Sequence, residues 1–422
     1  MDPKTLILDP GANLLKIGYS GDLAPKLFFP SQVQIDQSRG FSVSDENQKI
    51  VFGQKIYENY DENPILSTIR NGLVQNWEML EAVFEHIFIS GNKGGKGFKE
   101  YGDNVQVNNK NNEFHEGNVK ENEGENNLEY NNLNERNEIY NFGDISENGI
   151  FMMEEPKVPK RQREKMTELL FEKLGVKFLY FNNSAVLSLY GACKFSGFVM
   201  DSGYDLTKVV PIQNGYMFDS AVELINVGGR HISKKLLQLL VSNSQKSDIK
   251  IPLKSSDISI KKLNEIKEQF CTLLDDKNKK EEYFSLPDGR KIILGDESFQ
   301  ATDVLYHPES IGEKAGGIMQ IIIGAYNKTK VLKSKEFEDN IILCGGCSFI
   351  NGFEDRLKKE LFTFQSGKYK DKFNIISLPE RNHLSWIGAS IFSLMNIFKG
   401  LCTTKGEYEE YGASIVHNKC FY

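Results

Sequence analysis

The sequence predicts an α/β protein built as two related α/β halves around a cleft. Three observations carry that prediction. Short β-branched runs alternate with amphipathic helical stretches, one strand-turn-strand unit occurs twice, and the 422 residues exceed one ordinary core at roughly 150 residues per domain.

In chain order, "LILDPGANLLKIGYSGD" (6–22) reads as strand, turn and strand, with Asp9 where the first strand ends. "NWEMLEAVFEHIF" (76–88) and "KRQREKMTELLFEKLG" (160–175) carry apolar residues at helical spacing, the second closing on Gly175 as a C-cap. "GFVMDSG", "KVVPI" and "NIILCGG" are short apolar runs bounded by turn residues, as buried strands are. "LPDGRKIILG" (286–295) places Asp-Gly between two strand-like runs, a hairpin signal.

Residues 91–149 break this pattern. They are dominated by Asn, Glu, Gly and Lys, and such a segment buries too little apolar surface to offset an ordering cost of ~1–2 kcal/mol per residue. The reading is a disordered, Asn-rich surface insertion; an arm that folds on a partner is the alternative.

The formal charge of −7 provides no basic field for direct nucleic-acid binding. No apolar run approaches the ~18–20 residues of a membrane span, so a soluble chain with no membrane partner is expected. The six cysteines are scattered without a disulfide framework, and nothing ahead of the first strand reads as a signal peptide. A reducing cytosolic or nuclear setting is therefore expected.

The repeat carries the chemistry. "LILDPGANLLK" and "FVMDSGYDLTK" share the frame apolar run, Asp, x, Gly, x, x, Leu, x, Lys, matching Asp9 with Asp201, Gly11 with Gly203, Leu14 with Leu206 and Lys16 with Lys208. Glycine at a hairpin tip lets backbone N–H groups approach an anion. Aspartates at two strand ends can flank a divalent ion through water, and lysine supplies a point charge for phosphate oxygens. Asp and Gly are also ordinary turn residues, so the recurrence, rather than either copy, argues for a paired phosphate clamp. "NIILCGGCSFINGFEDRLKKEL" (340–361) adds a strand, Gly345-Gly346 and an amphipathic helix, an arrangement that receives nucleotides. Cys344 and Cys347 form a C-x-x-C without a second pair, which suits packing beside the loop better than zinc.

These segments resemble the actins and actin-related proteins over nearly the whole chain apart from the insertion. "DPGANLLKIGYSGDLAPKLFFPS" and "REKMTELLFEKLGVKFLYFNNSAVLSLYGACKFSGFVMDSGYDLTKVVPIQNGY" are similar to the regions of the two phosphate loops, and "ILCGGCSFINGFEDRLKKE", "LPERNHLSWIGASI" and "EYEEYGASIVHNKCF" continue the similarity in order. The resemblance implies the actin / sugar-kinase-like two-lobed fold. Residues 1–191 with 384–422 would form the outer lobe, its small subdomain at about 31–67. Residues 192–383 would form the inner lobe, its small subdomain at about 228–313. It also implies ATP or ADP with Mg²⁺ (or Ca²⁺) in the cleft. By position, nucleotide-binding residues would be Gly11, Ala12, Asn13, Leu14, Lys16, Gly203, Tyr204, Asp205, Gly229, Lys267, Glu268, Gly345, Gly346 and Phe349, with Asp9 and Asp201 holding the metal through water. Ile350 and Asn382 replace a tyrosine and a lysine of the family near the base.

The departures are as informative. Pro10-Gly11-Ala12-Asn13 lacks the family's serine that meets the terminal phosphate, and Tyr204 stands where an acid is usual. At the family's water-positioning glutamine and helper histidine stand Ser184 and Lys208, which implies a degenerate ATPase with Lys208 adding positive charge toward the phosphates. Asn183 would substitute only if the backbone shifted by one residue. A cleft held by side chains alone, without nucleotide, is the competing reading.

The segment resembling the family's DNase-binding loop, "DQSRGFSVSDENQ" (36–48), is polar, and the one resembling its hydrophobic plug, "HPESIGEKAGG" (307–317), is charged. Ordinary actin-like polymerisation is not expected, since burying those charges between strands is costly. The expected function is a structural subunit of a cytoskeletal or other multiprotein assembly, in the cytoplasm and cytoskeleton, partnered by other protein subunits that include actin or actin-related proteins. The alternatives are a nuclear chromatin-remodelling subunit and a filament-forming ATPase.

Overall fold

In the computed structural model the described residues are 3–35, 50–53, 56, 65–90, 142–246, 253–274, 282–286, 289–332, 334–368 and 373–420. Two mixed sheets dominate. The first has the strand order Thr403–Thr404, Phe178–Asn183, Gly149–Glu154, Thr5–Pro10, Leu14–Tyr19, Leu27–Pro30. The second runs Tyr216–Met217, Thr207–Gln213, Gly197–Ser202, Ile341–Cys344, Ile375–Ile376, with Glu223–Ile225 also on Thr207–Gln213.

The sheets repeat one another. In each, the strand carrying the repeated aspartate pairs antiparallel with the strand that follows its turn, and parallel with a strand from much later in the half. Leu6, Ile7 and Leu8, and likewise Phe198, Val199 and Met200, are buried without alternation, as a central strand covered on both faces requires. The sequence repeat is thus a structural repeat.

One core gathers around Leu6, Leu8, Phe151, Phe181 and Trp386, and a second around Phe198, Met200, Leu236, Ile266 and Leu343. A third, with Ala185, Leu189, Val199, Ile342 and Leu384, seats the helix Ser184–Gly191 on the second sheet. That helix leads from the first sheet to the second, and the helix Leu384–Ser393 leads back. The two cross closely. A Cβ on Gly388 would overlap the Leu187 carbonyl, and one on Gly191 the Leu384 carbonyl.

Several local readings need adjustment. The helix expected over 76–88 is capped by the Asn76 side chain and is α-helical over Trp77–Glu85, then widens into a π turn over His86–Ser90. The 160–175 helix widens in the same way after Glu168, and Gly175 does take the left-handed backbone (φ +69°) expected of it. The 286–295 hairpin forms between Glu282–Ser285 and Lys291–Leu294.

The insertion ends earlier than its composition suggested. Phe142 and Ile145 are buried in the first core, the Tyr19 hydroxyl donates to the Phe142 carbonyl (2.7 Å), and a strand begins at Gly149. Two apolar anchors suffice to tie 142–149 down. Residues 91–141, and the segment 36–48, lie outside the described residues.

Candidate functional site: a charged cleft between two aspartate hairpins

The residues singled out by the repeat stand at the carboxyl ends of parallel strands, where open α/β sheets place ligands. Asp9 and Asp201 are the penultimate residues of Thr5–Pro10 and Gly197–Ser202, Glu155 follows Gly149–Glu154, Ser184 follows Phe178–Asn183, and Gly345 follows Ile341–Cys344.

The hairpin geometry changes the role expected of the lysines. Asp9 and Lys16 are cross-strand partners, as are Asp201 and Lys208. Lys16 Nζ lies 3.0 Å from Asp9 Oδ2 and 3.0 Å from the Asn382 carbonyl. Lys208 Nζ lies 2.9 Å from Asp201 Oδ2, pairs with Glu155, and donates to Ser184 Oγ at 3.3 Å. Each lysine therefore answers its own aspartate. Lys208 is only 1% exposed, so the expected extra positive charge toward phosphate is not delivered. Burial opposes its charge, but the Asp201 and Glu155 carboxylates outweigh burial and hold the ammonium above the ordinary lysine range. The Glu155 carboxyl is pushed up by burial and by Asp201 and Asp9, against the pull of Lys208.

The clamp tips are partly committed. Gly11 N–H donates to the Asp9 carbonyl and Gly203 N–H to the Leu206 carbonyl. The Ser31 hydroxyl donates to the Gly11 carbonyl, and the Asn13 carbonyl accepts from Ser31 N–H. Leu14 opens the second strand of its hairpin. Asp205 is buried, and both its oxygens are taken, Oδ1 by Arg230 Nε (2.6 Å) and Oδ2 by Asn71 N–H (3.2 Å). Its side chain is consequently a structural tie rather than a free ligand contact.

At the other end of the cleft, Gly229 opens the helix Gly229–Lys246 and its N–H donates to the Gly203 carbonyl. This helix start meets the clamp. The helix expected directly after Gly346 begins only at Phe353, because a 3-10 turn over Gly346–Phe349 intervenes. Gly345 has φ +84°, and a Cβ there would collide with the Asp201 carboxylate and the Ser202 carbonyl, so this glycine lets the loop close on the second jaw. A Cβ on Gly346 would meet open space. Lys267 Nζ bonds Ser233 Oγ and Asn264 Oδ1, both at 3.1 Å, and lies 5.9 Å from the centre of the Tyr204 ring. Glu268 beside it is exposed. Phe349 is 37% exposed, with the Arg381 guanidinium 3.8 Å from its ring centre. Cys344 and Cys347 are free and buried, and the Cys347 thiol donates to the Gly203 carbonyl, the packing role expected of them.

Sequence reasoning missed Glu155, Arg230 and Arg381. The signal for Glu155 was present, since "MMEEP" puts acids at the end of a buried strand parallel to that of Asp9. Its lysine lies 53 positions away, a partnership that no local pattern reveals.

Two sheets that share the arrangement of their central strands, each carrying an aspartate-glycine hairpin, define a two-lobed α/β fold around a cleft. Residues 2–421 match the Actin family. The chain therefore belongs to the actin family, whose members generally bind a nucleotide with a divalent metal and work with other proteins. Among the described residues no helix is long and apolar enough to cross a membrane.

The residues fit a nucleotide better than its usual metal. The open space at Gly346, the half-exposed Phe349 ring and the helix start at Gly229 suit a base and ribose. An ion between Asp9 and Asp201 would compete with two lysines already in place.

Proposed function

We propose that this actin-family chain is a structural subunit of a multiprotein assembly that holds ATP or ADP as a conformational ligand, with little or no hydrolysis. The observation that carries the reading is the state of Lys208. A residue bordering the attacked phosphate must orient water or accept its proton. Lys208 is a sealed ammonium fixed by Asp201 and Glu155, and Ser184 Oγ is occupied as its acceptor. Asn183 does not replace them, because its Oδ1 caps the helix Ser184–Gly191 by accepting from Ala185 N–H at 2.9 Å. Among the described residues, neither Ser184 nor Lys208 is free to accept a proton there, and the neighbouring Glu155 carboxylate is engaged by Lys208.

The cleft keeps a binding surface while its hydrolytic positions are spent on holding charge, which suits a subunit whose nucleotide sets shape. A cytoskeletal assembly is the setting favoured by the C-terminal "SIVHNKCF" and the resemblance around it. Phosphate release from Mg-ATP by the purified protein tests the reading. Background rates are expected, and sustained turnover would overturn it. Co-purification then separates the settings, filament or motor-complex subunits supporting the cytoskeletal one and helicase-type remodellers opposing it.

A further inference from the structure

We propose that the cleft takes a nucleoside diphosphate and selects against the triphosphate, with the Glu155 carboxylate as the discriminating group. The inference rests on the nucleotide-binding reading above. It concerns which nucleotide, and why.

Contacts order the cleft from one end to the other. Phe349 offers an exposed aromatic ring at the glycine loop, and Lys267 and Tyr204 flank Gly229. Gly345 then abuts Asp201, Asp201 pairs with Lys208, and Lys208 pairs with Glu155. A base belongs at the aromatic end, so the phosphate tail points toward Glu155.

The charges at that end are unequal. Asp9, Asp201 and Glu155 supply three carboxylates against the two ammonium groups of Lys16 and Lys208. Exposure sharpens the asymmetry. Lys208 is 1% exposed whereas Glu155 keeps 30%, so the positive member is sealed away and the acid holds what contact with solvent the pair retains. Glu155 is held there by packing, since a Cβ on Gly72 would lie 2.7 Å from its Cγ. A third phosphate would bring a further negative charge up to this fixed acid, and the jaw aspartates, already paired, are poor recruits for a screening divalent ion.

Calorimetric titration of the purified full chain with ADP, and with a methylene-bridged ATP analogue that cannot decay to ADP, tests this in Mg²⁺ and again in EDTA. At the short separations involved, ADP should bind at least about tenfold tighter than the triphosphate, and EDTA should leave ADP affinity little changed. Glu155→Gln, which keeps a hydrogen-bond partner for Lys208, should strengthen triphosphate binding much more than ADP binding. Equal or tighter triphosphate binding by the unmodified protein overturns the proposal while leaving the nucleotide reading in place, and needs no variant to fold. An equal shift of both ligands in Glu155→Gln removes Glu155 as the cause and overturns it too. Binding of neither nucleotide overturns both this inference and the reading beneath it.

Discussion

Replacing Lys208 with methionine should destabilise the protein more than any other single change in the cleft. The side chain is 1% exposed and answers two carboxylates, Asp201 and Glu155, that are 22% and 30% exposed. Removing one partner of a buried pair costs about 3–5 kcal/mol. Here the orphaned acids reach some water, and Glu155 can take up a proton, so a loss of about 2–3 kcal/mol is expected. The acids left behind repel each other, so adding Glu155→Gln to Lys208→Met should recover about 1 kcal/mol rather than add a second loss.

Equilibrium urea unfolding of the four proteins in this cycle, followed by far-UV circular dichroism with slopes checked for constancy, gives the numbers. The pH dependence has a definite sign. Lys208 is held above the ordinary lysine range in the fold, so its contribution is fully present below that range and is lost only as pH climbs through the raised value. A Lys208→Met protein within about 0.5 kcal/mol of the parent, or a double variant weaker than Lys208→Met alone, would refute the ion-pair reasoning.

Other expectations concern the rest of the fold. Gly388→Ala should cost about 1–3 kcal/mol by overpacking, because its Cβ would overlap the Leu187 carbonyl; unchanged thermal stability would show that the helix crossing is looser than described. Burial, helped by Arg230, pushes His231 down to about 4, and burial, helped by Lys16, pushes His383 down to about 3. Both fold as neutral rings, so the stability they contribute is present above their ordinary value near 6.5 and falls as pH drops toward 4. His231→Asn, which retains an acceptor for Gly228 N–H, should flatten that fall in urea titrations between pH 7 and 4, and an unchanged slope would count against it. Sedimentation of the purified protein in polymerising salt should leave it in the supernatant, as Lys314 is an exposed charge in the segment resembling the plug; pelleted filaments would contradict this.

Much of the fold was legible because the repeated frame encodes geometry as well as chemistry. Seven positions separate Asp9 from Lys16 and Asp201 from Lys208, and across a tight hairpin that spacing makes them direct neighbours. The pairing was therefore in the sequence, although lysine beside glycine suggested phosphate first. Glu155 and Arg230 were not legible, since each meets its partner only after distant strands and a helix are assembled. Helix ends were blurred for a local reason. The apolar runs continue past Glu85 and Glu168, and the backbone follows them by widening into π turns, which apolar periodicity does not distinguish from α-helix. The edge of the insertion was missed because Phe142 and Ile145 are two anchors in a polar stretch, too sparse to alter composition.

The crossing of Ser184–Gly191 with Leu384–Ser393 has a mechanical consequence. Both covalent passages between the sheets run through these two helices, and glycine lets them touch backbone to backbone. Packed backbone against backbone at Gly191 and Gly388, the pair has little room to slide there and forms an axle between the two sheets. Ser184 sits at the first residue of one axle helix. Any torsion at this pivot would be magnified toward the far rims of the halves.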